Sequence, residues 1–223
     1  MKGILQFSKI KEAITDIKAG KFVIVMDDEK RENEGDLVIA ADKASPENIN
    51  FMLKHGRGLI CMPVIGKRLD ELKLPQMVMP NSHTGHCAFT ISIDAVKGTT
   101  TGVSAFDRAA TVRAVLDSRT KPDELRRPGH MFPLRYQDGG VLVRQGHTEA
   151  SVDLAMLAGL YPAAVICEIL DEDGRVAKYE RLMEFSKKHS IRIVSINDLI
   201  EHRKNGEQGI MADNRSVVVD SDS

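Results

Sequence analysis

Short apolar runs recur along this chain with helical segments between them: KFVIVM at 21–26, LVIAA at 37–41, LICMPV at 59–64, AVICEIL at 164–170 and IRIVSI at 191–196. Strands of that length and β-branched content, alternating with capped helices, call for a sheet covered by helices, a mixed α/β layer fold, rather than a helical bundle or a β-sandwich. The punctuation between the runs agrees. Ser8 stands where it would cap a helix with the apolar face Ile10, Ala13, Ile14 and Ile17, and Gly20 stands where a left-handed stop belongs. Ser45-Pro46-Glu47 opens a second helix that Gly56 is expected to close. Residues 67–74 read as a short helix, 75–86 as loop, 88–96 as a strand, and Ser104-x-x-Asp107 as the cap of a helix over 105–116. A strand over 141–144, a helix over 180–189 and a closing helix capped by Ser195 complete the pattern.

A chain of 223 residues buries roughly 70% of its unfolded surface, enough for one core without metal or disulfide staples. One domain is expected over residues 1–204, with a polar, disordered tail over 205–223. A net charge of -1, interleaved charges, 4% aromatic residues and no Trp argue against nucleic acid as a partner. Cys61, Cys87 and Cys167 are too few and too scattered for a disulfide framework. With neither a signal-peptide core nor a long apolar stretch, the expected setting is cytoplasmic, without membrane contact.

The stretch at 27–36, DDEKRENEGD, carries Asp27, Asp28, Glu29, Glu32, Glu34 and Asp36 between two apolar runs, so both its ends are held. Two carboxylates at about 4 Å repel by about 4 kcal/mol at an effective dielectric near 20. Such a loop must take up a proton or a cation, or splay outward as an ordinary solvated turn. Further candidates lie downstream. Arg144, Gly146 and the helix start at 147–149 suit a phosphate cradle or a plain turn capped by Thr148. Glu168 is the one charge inside an apolar run, either on a wet face or buried with acid/base capacity. His130 falls on a loop framed by two prolines and a glycine. His83, His86 and Cys87 form an incomplete H-x-x-H-C set for structural zinc. Cys61, if it borders the acidic stretch, should carry a thiol made a poor nucleophile by nearby carboxylates; a buried structural Cys is the plain alternative. Nucleotide-binding loops, the zinc-protease motif and the serine-hydrolase elbow are absent from the sequence.

The segments DDEKRENEGDL, TTTGVSAFDRAATVRA, RRPGHMFPLR, GGVLVRQGHTEASVDLAMLAGL and AVICEIL closely resemble the 3,4-dihydroxy-2-butanone 4-phosphate synthases of riboflavin biosynthesis, in register over 21–199. The resemblance implies an α/β (α+β) fold, a three-layer αβα-type single domain around a mixed β-sheet. It implies a lyase converting ribulose 5-phosphate to 3,4-dihydroxy-2-butanone 4-phosphate and formate. It implies Mg²⁺, held by Glu32 and His147; Mn²⁺ also suits a site containing imidazole. Matched motif by motif, Arg31, Glu32, Asp36, Arg144, Gln145, Gly146, His147, Thr148 and Glu168 would meet the substrate, and His130 and Glu168 would be essential to catalysis. A homodimer with active sites at its interface is implied, and the stand-alone form of the enzyme rather than a fusion. The chain departs from the family pattern in NSHTGHCAFT, where small or hydroxyl residues are expected in place of His83, His86 and Cys87. Two other classes fit the same residues: a metal-dependent sugar-phosphate isomerase or aldolase, which releases no formate, and a non-catalytic sugar-phosphate binder.

Overall fold

The structure, a computed structural model, describes residues 7–78 and 87–216, with side chains described through 206. β1 (Val23–Met26) and β2 (Gly35–Ala40) form an antiparallel hairpin around the acidic stretch, Met26 opposite Gly35. β6 (Ala164–Glu168) flanks β2 antiparallel, which sets Asp36 directly opposite Glu168. β3 (Cys61–Val64) meets β6 at Cys61–Ile166 and runs parallel to β5 (Leu125–Arg135), Cys61 opposite Phe132. β4 (Ile93–Ala95) closes that edge antiparallel to β5, and β7 (Arg192–Ser195) closes the other, parallel to β1. Among the described residues the result is one mixed seven-stranded sheet in the order β4-β5-β3-β6-β2-β1-β7.

Strand alternation divides the core into two layers. Val23, Val25, Val38, Ala40, Cys61 and Ile166 face α1 (Ile10–Lys18), α5 (His147–Leu157) and α7 (Ile196–Ser216). Ile24, Met26, Leu37, Ile39, Met62 and Val165 face α2 (Pro46–Phe51), α3 (Gly66–Glu71), α4 (Ala105–Leu116) and α6 (Tyr179–His189). Every residue of β2 is buried, as expected of a central strand covered on both faces. Each fully buried aliphatic side chain contributes about 1.5–3 kcal/mol of transfer free energy. The three-layer expectation therefore holds. No helix among the described residues is long and apolar enough to cross a membrane.

Several local expectations change. Ser45 and Ser104 cap α2 and α4, accepting from the Asn48 and Asp107 amides. Ser8, however, does not cap α1; its N–H donates to Ile193 O. α2 continues as a π turn (Met52–Gly56), and the left-handed stop is Arg57 at φ 70°, one residue past Gly56. Gly56 is required for another reason: a Cβ there would lie 2.9 Å from Cys167 Sγ. The expected strand at 141–144 is a 3-10 turn (Gly140–Leu142), because Gly139 and Gly140 both take positive φ and Asp153 claims the Val141 N–H. The expected strand at 88–96 narrows to Ile93–Ala95, with single bridges at Phe89 and Thr90. α7 runs on to Ser216, past the boundary expected at 204.

Candidate active site

One end of the sheet collects the charged residues. β1 leaves there at Met26, β2 enters at Gly35, β6 leaves at Glu168, and the chain enters β3 just after Leu59. Asp27, the residue after β1, is buried and organises the acidic loop. Its Oδ2 accepts from Arg31 Nη1 (2.9 Å) and the Glu32 N–H (3.0 Å), and its Oδ1 accepts from the Glu34 N–H (2.8 Å). From outside, Lys178 Nζ donates to the Asn33 carbonyl at 3.0 Å. These bonds turn a run of mutually repelling carboxylates into a held loop.

His147, the first residue of α5, projects into that loop and is 6% exposed. Its Nδ1 lies 3.7 Å from Glu32 Oε2, and its Nε2 lies 4.0 Å from Asp36 Oδ1 and has no hydrogen-bond partner among the described residues. The neighbouring His147 ring, with Arg31 adding, lowers the Glu32 carboxyl to about 2 against its partial burial. Burial, reinforced by Glu168, Glu34 and Glu32 and opposed by His147, pushes Asp36 up to about 7. Burial would lower the imidazole of His147, yet Asp36 and Glu32 hold it up at about 9. Oxygen and nitrogen atoms of Asp27, Glu32 and His147 all lie within 4.8 Å of one another. A buried ring nitrogen with no hydrogen-bond partner among the described residues, set beside the carboxylates of Glu32 and Asp36, fits a divalent cation, with Glu32 and His147 as expected ligands. Asp27 already carries three hydrogen bonds and serves to set Glu32.

Glu168 is half-buried, between the two alternatives left open by its sequence context. The Leu59 N–H donates to its Oε2 at 2.8 Å, and a Cβ on Gly58 would come within 2.6 Å of that oxygen. The carboxylate is thus held at one oxygen, next to Asp36. Cys61 is buried, and its thiol is pushed up by burial and then by Glu168 and Asp36. Burial, the plain alternative for this residue, is the larger cause, and the two carboxylates add to it.

At the start of α5, Gly146 is the N-cap and no side chain caps the helix, which removes Thr148 from the capping role. Arg144 folds back over this turn, its Nη1 2.5 Å from Glu149 Oε2 and its Nη2 3.8 Å from Cys87 Sγ. Gly146 permits this, since a Cβ would lie 2.6 Å from Arg144 Nη1. Thr148 Oγ1 is 3.7 Å from the same sulfur, so Arg144, Gly146, Thr148 and Cys87 share one corner. Gln145 is exposed between them. His83 and His86 lie outside the described residues. Buried Glu149, which orients Arg144, was read from sequence only as part of a helix start.

His130 lies within β5 rather than on a loop. β5 pairs Met131 with Ile93 but Arg126 with Asp94, so the register slips and 127–130 bulge from the ladder. The Asp94 carboxylate accepts from the His130 N–H at 2.9 Å and lies 2.8 Å from Nδ1. Asp94 was missed in the sequence, although it is, like Glu168, a lone charge in an apolar strand. His130 precedes Phe132, and Glu168 follows Ile166; these are the two partners of Cys61, so both candidates sit toward the N-terminal end of β3.

A helix-covered mixed sheet with a carboxylate–imidazole cluster, an arginine-lined helix start and a separate histidine at one end defines a candidate metal-assisted acid–base enzyme for a phosphorylated substrate. The chain belongs to the 3,4-dihydroxy-2-butanone 4-phosphate synthase family, whose model matches residues 11–202. It is 55% identical over 200 residues to riboflavin biosynthesis protein RibBA of Aquifex aeolicus, covering 89% of this chain and 49% of that protein. It is 52% identical over 200 residues to the 3,4-dihydroxy-2-butanone 4-phosphate synthase of Neisseria meningitidis, covering 90% of this chain and 55% of that one. The chain spans about half the length of these curated relatives. A solved 3,4-dihydroxy-2-butanone 4-phosphate synthase in complex with two magnesium ions matches with a TM-score of 0.85 at 42% identity, over 90% of this chain and 99% of that one.

Proposed function

We propose that this protein converts ribulose 5-phosphate to 3,4-dihydroxy-2-butanone 4-phosphate and formate, supplying the four-carbon unit of riboflavin. The observation that carries this is the coincidence of the family match over 11–202 with the convergence of its motif residues at one end of the sheet. Glu32 and His147 would hold Mg²⁺, or Mn²⁺, for which imidazole is a better-matched ligand. When bound, the cation supplies Lewis acidity to substrate oxygens and eases removal of a proton beside the carbonyl. Arg144, Gln145, Gly146 and Thr148, with the N-terminus of α5, bind the phosphate. Arg31 and Asp36 orient the sugar. Glu168, tethered at one oxygen by Leu59, and His130 move protons during enolisation, dehydration, rearrangement and loss of C4.

The products together contain all the atoms of the substrate, so the water lost on dehydration is balanced by the water that releases formate, and no oxidant is required. The three free cysteines suit a reducing, cytoplasmic setting. A homodimer is also proposed, supported by Phe106 and Val143, apolar and 70% and 63% exposed, beside the cap of α4 and next to Arg144.

Formate release from ribulose 5-phosphate with Mg²⁺, with excess EDTA and with Mg²⁺ restored tests the assignment. One formate per substrate, lost on chelation and regained with metal, is expected. Glu168→Gln and His130→Ser are each expected to lower the rate by a factor of about 10²–10⁴. Turnover without formate would favour an isomerase or aldolase, and tight binding without turnover a sugar-phosphate binder.

A further inference from the structure

The bulge at 127–130 is pinned twice by β4 and the residue before it: the Gly129 N–H donates to Ser92 Oγ at 3.1 Å, and the His130 N–H donates to Asp94 Oδ1 at 2.9 Å. Asp94 is only 4% exposed and reaches the imidazole with its second oxygen, Oδ2, 2.8 Å from Nδ1. A backbone N–H only donates, so Oδ1 is committed as an acceptor, and a carboxylate leaves Oδ2 an acceptor as well. Nδ1 must therefore carry the hydrogen. Gly102, at φ +97°, closes over this edge: a Cβ there would overlap Asp94 Oδ2 and come 2.6 Å from His130 Nδ1. Its own N–H is fixed by Asp107 Oδ2 at 3.1 Å. The His130 side chain is nevertheless 43% exposed, and with the Nδ1 edge sealed that exposure falls on the Nε2 edge.

We propose that Asp94 is the positioning residue of His130, locking it as the Nδ1–H tautomer and reserving Nε2 for proton transfer to and from the substrate. This rests on the assignment of His130 made above and adds the residue that sets its working nitrogen. A buried carboxylate that orients an imidazole through one nitrogen while the other does chemistry is a general device of acid–base catalysis.

Asp94→Asn tests it with a near-isosteric change. The His130 N–H still demands the amide oxygen, so the amide NH₂ faces Nδ1 and selects the opposite tautomer. The expected result is a fall in kcat for formate release by a factor of about 10²–10⁴, with KM for ribulose 5-phosphate held within about twofold. The ¹⁵N resonances of labelled histidine, with His130 assigned by its absence in His130→Ser, should show Nδ1 protonated in the neutral ring of the wild type and Nε2 protonated in Asp94→Asn. A wild-type His130 protonated at Nε2 overturns the proposal without recourse to any variant. So does an Asp94→Asn enzyme with unchanged kcat beside an inactive His130→Ser, or one that loses kcat with the tautomer unaltered. Full activity in His130→Ser instead overturns the underlying role of His130.

Discussion

Asp107 is a capping-box residue whose carboxylate does more than cap. It accepts from the Thr100 N–H and hydroxyl, both at 2.9 Å, and from the Gly102 N–H at 3.1 Å, while its own N–H goes to Ser104. It thereby holds the loop that lies over Asp94 and His130. Those bonds, the Thr100 amide foremost, lower its carboxyl from 3.8 to about 2. A depressed carboxyl stabilises the fold fully above the unfolded value, and that contribution is lost as pH falls through the folded one. The stability advantage of the wild type over Asp107→Asn should thus be present at pH 6 and shrink between about pH 4 and 2, read from urea midpoints across that range. A gap that stays constant down to the acid limit would show that the ionised form is not what holds the loop.

At the scale of elements, α6 is pinned by one fully buried residue, Leu182, seated against the bare backbone of Gly35, where a Cβ would lie 2.6 Å from its Cδ1. Lys178, at the N-cap of the same helix, grips the acidic loop at Asn33. Leu182→Ala is expected to cost about 2–5 kcal/mol in urea unfolding and to raise the Mg²⁺ concentration needed for half-maximal formate release. Unchanged values of both would separate the helix from the acidic loop. Elements such as α2 and α4 were legible in the sequence because Ser45 and Ser104 act on amides three residues away. The acidic loop and the α5 turn were legible because glycines and charges cluster there. The β5 bulge was not, since it exists only through a slip against β4, a distant strand, and the 141–144 strand was misread because two successive positive-φ glycines leave no local hydrophobic trace. The roles of Asp27 and Glu149 were hidden likewise: each is a carboxylate in a charged motif, and only folding shows which of the charges turn inward.

At the scale of the whole molecule, the exposed Phe106 and Val143 border the two outer parts of the site. Light scattering is expected to give twice the 24.6 kDa chain mass, and Phe106→Asp to return it to the single-chain value with lower activity. A wild-type monomer with full activity would count against the interface. The strand order has a separate consequence. β2 sits between β1 and β6, so its second partner is made only after all of α2 to α5, and β1 waits still longer for β7. A ribosome adding about 5–20 residues per second needs roughly 6–25 s to pass from Ala40 to Ala164. Throughout that interval Leu37, Val38 and Ile39 lack their β6 partners, and any β1–β2 pairing formed early leaves an open edge of the kind that recruits strands from other molecules. Co-expression of a chaperone that shields exposed strands is therefore expected to raise the soluble yield of this chain, and an unchanged yield would count against the open β2 edge as its point of vulnerability.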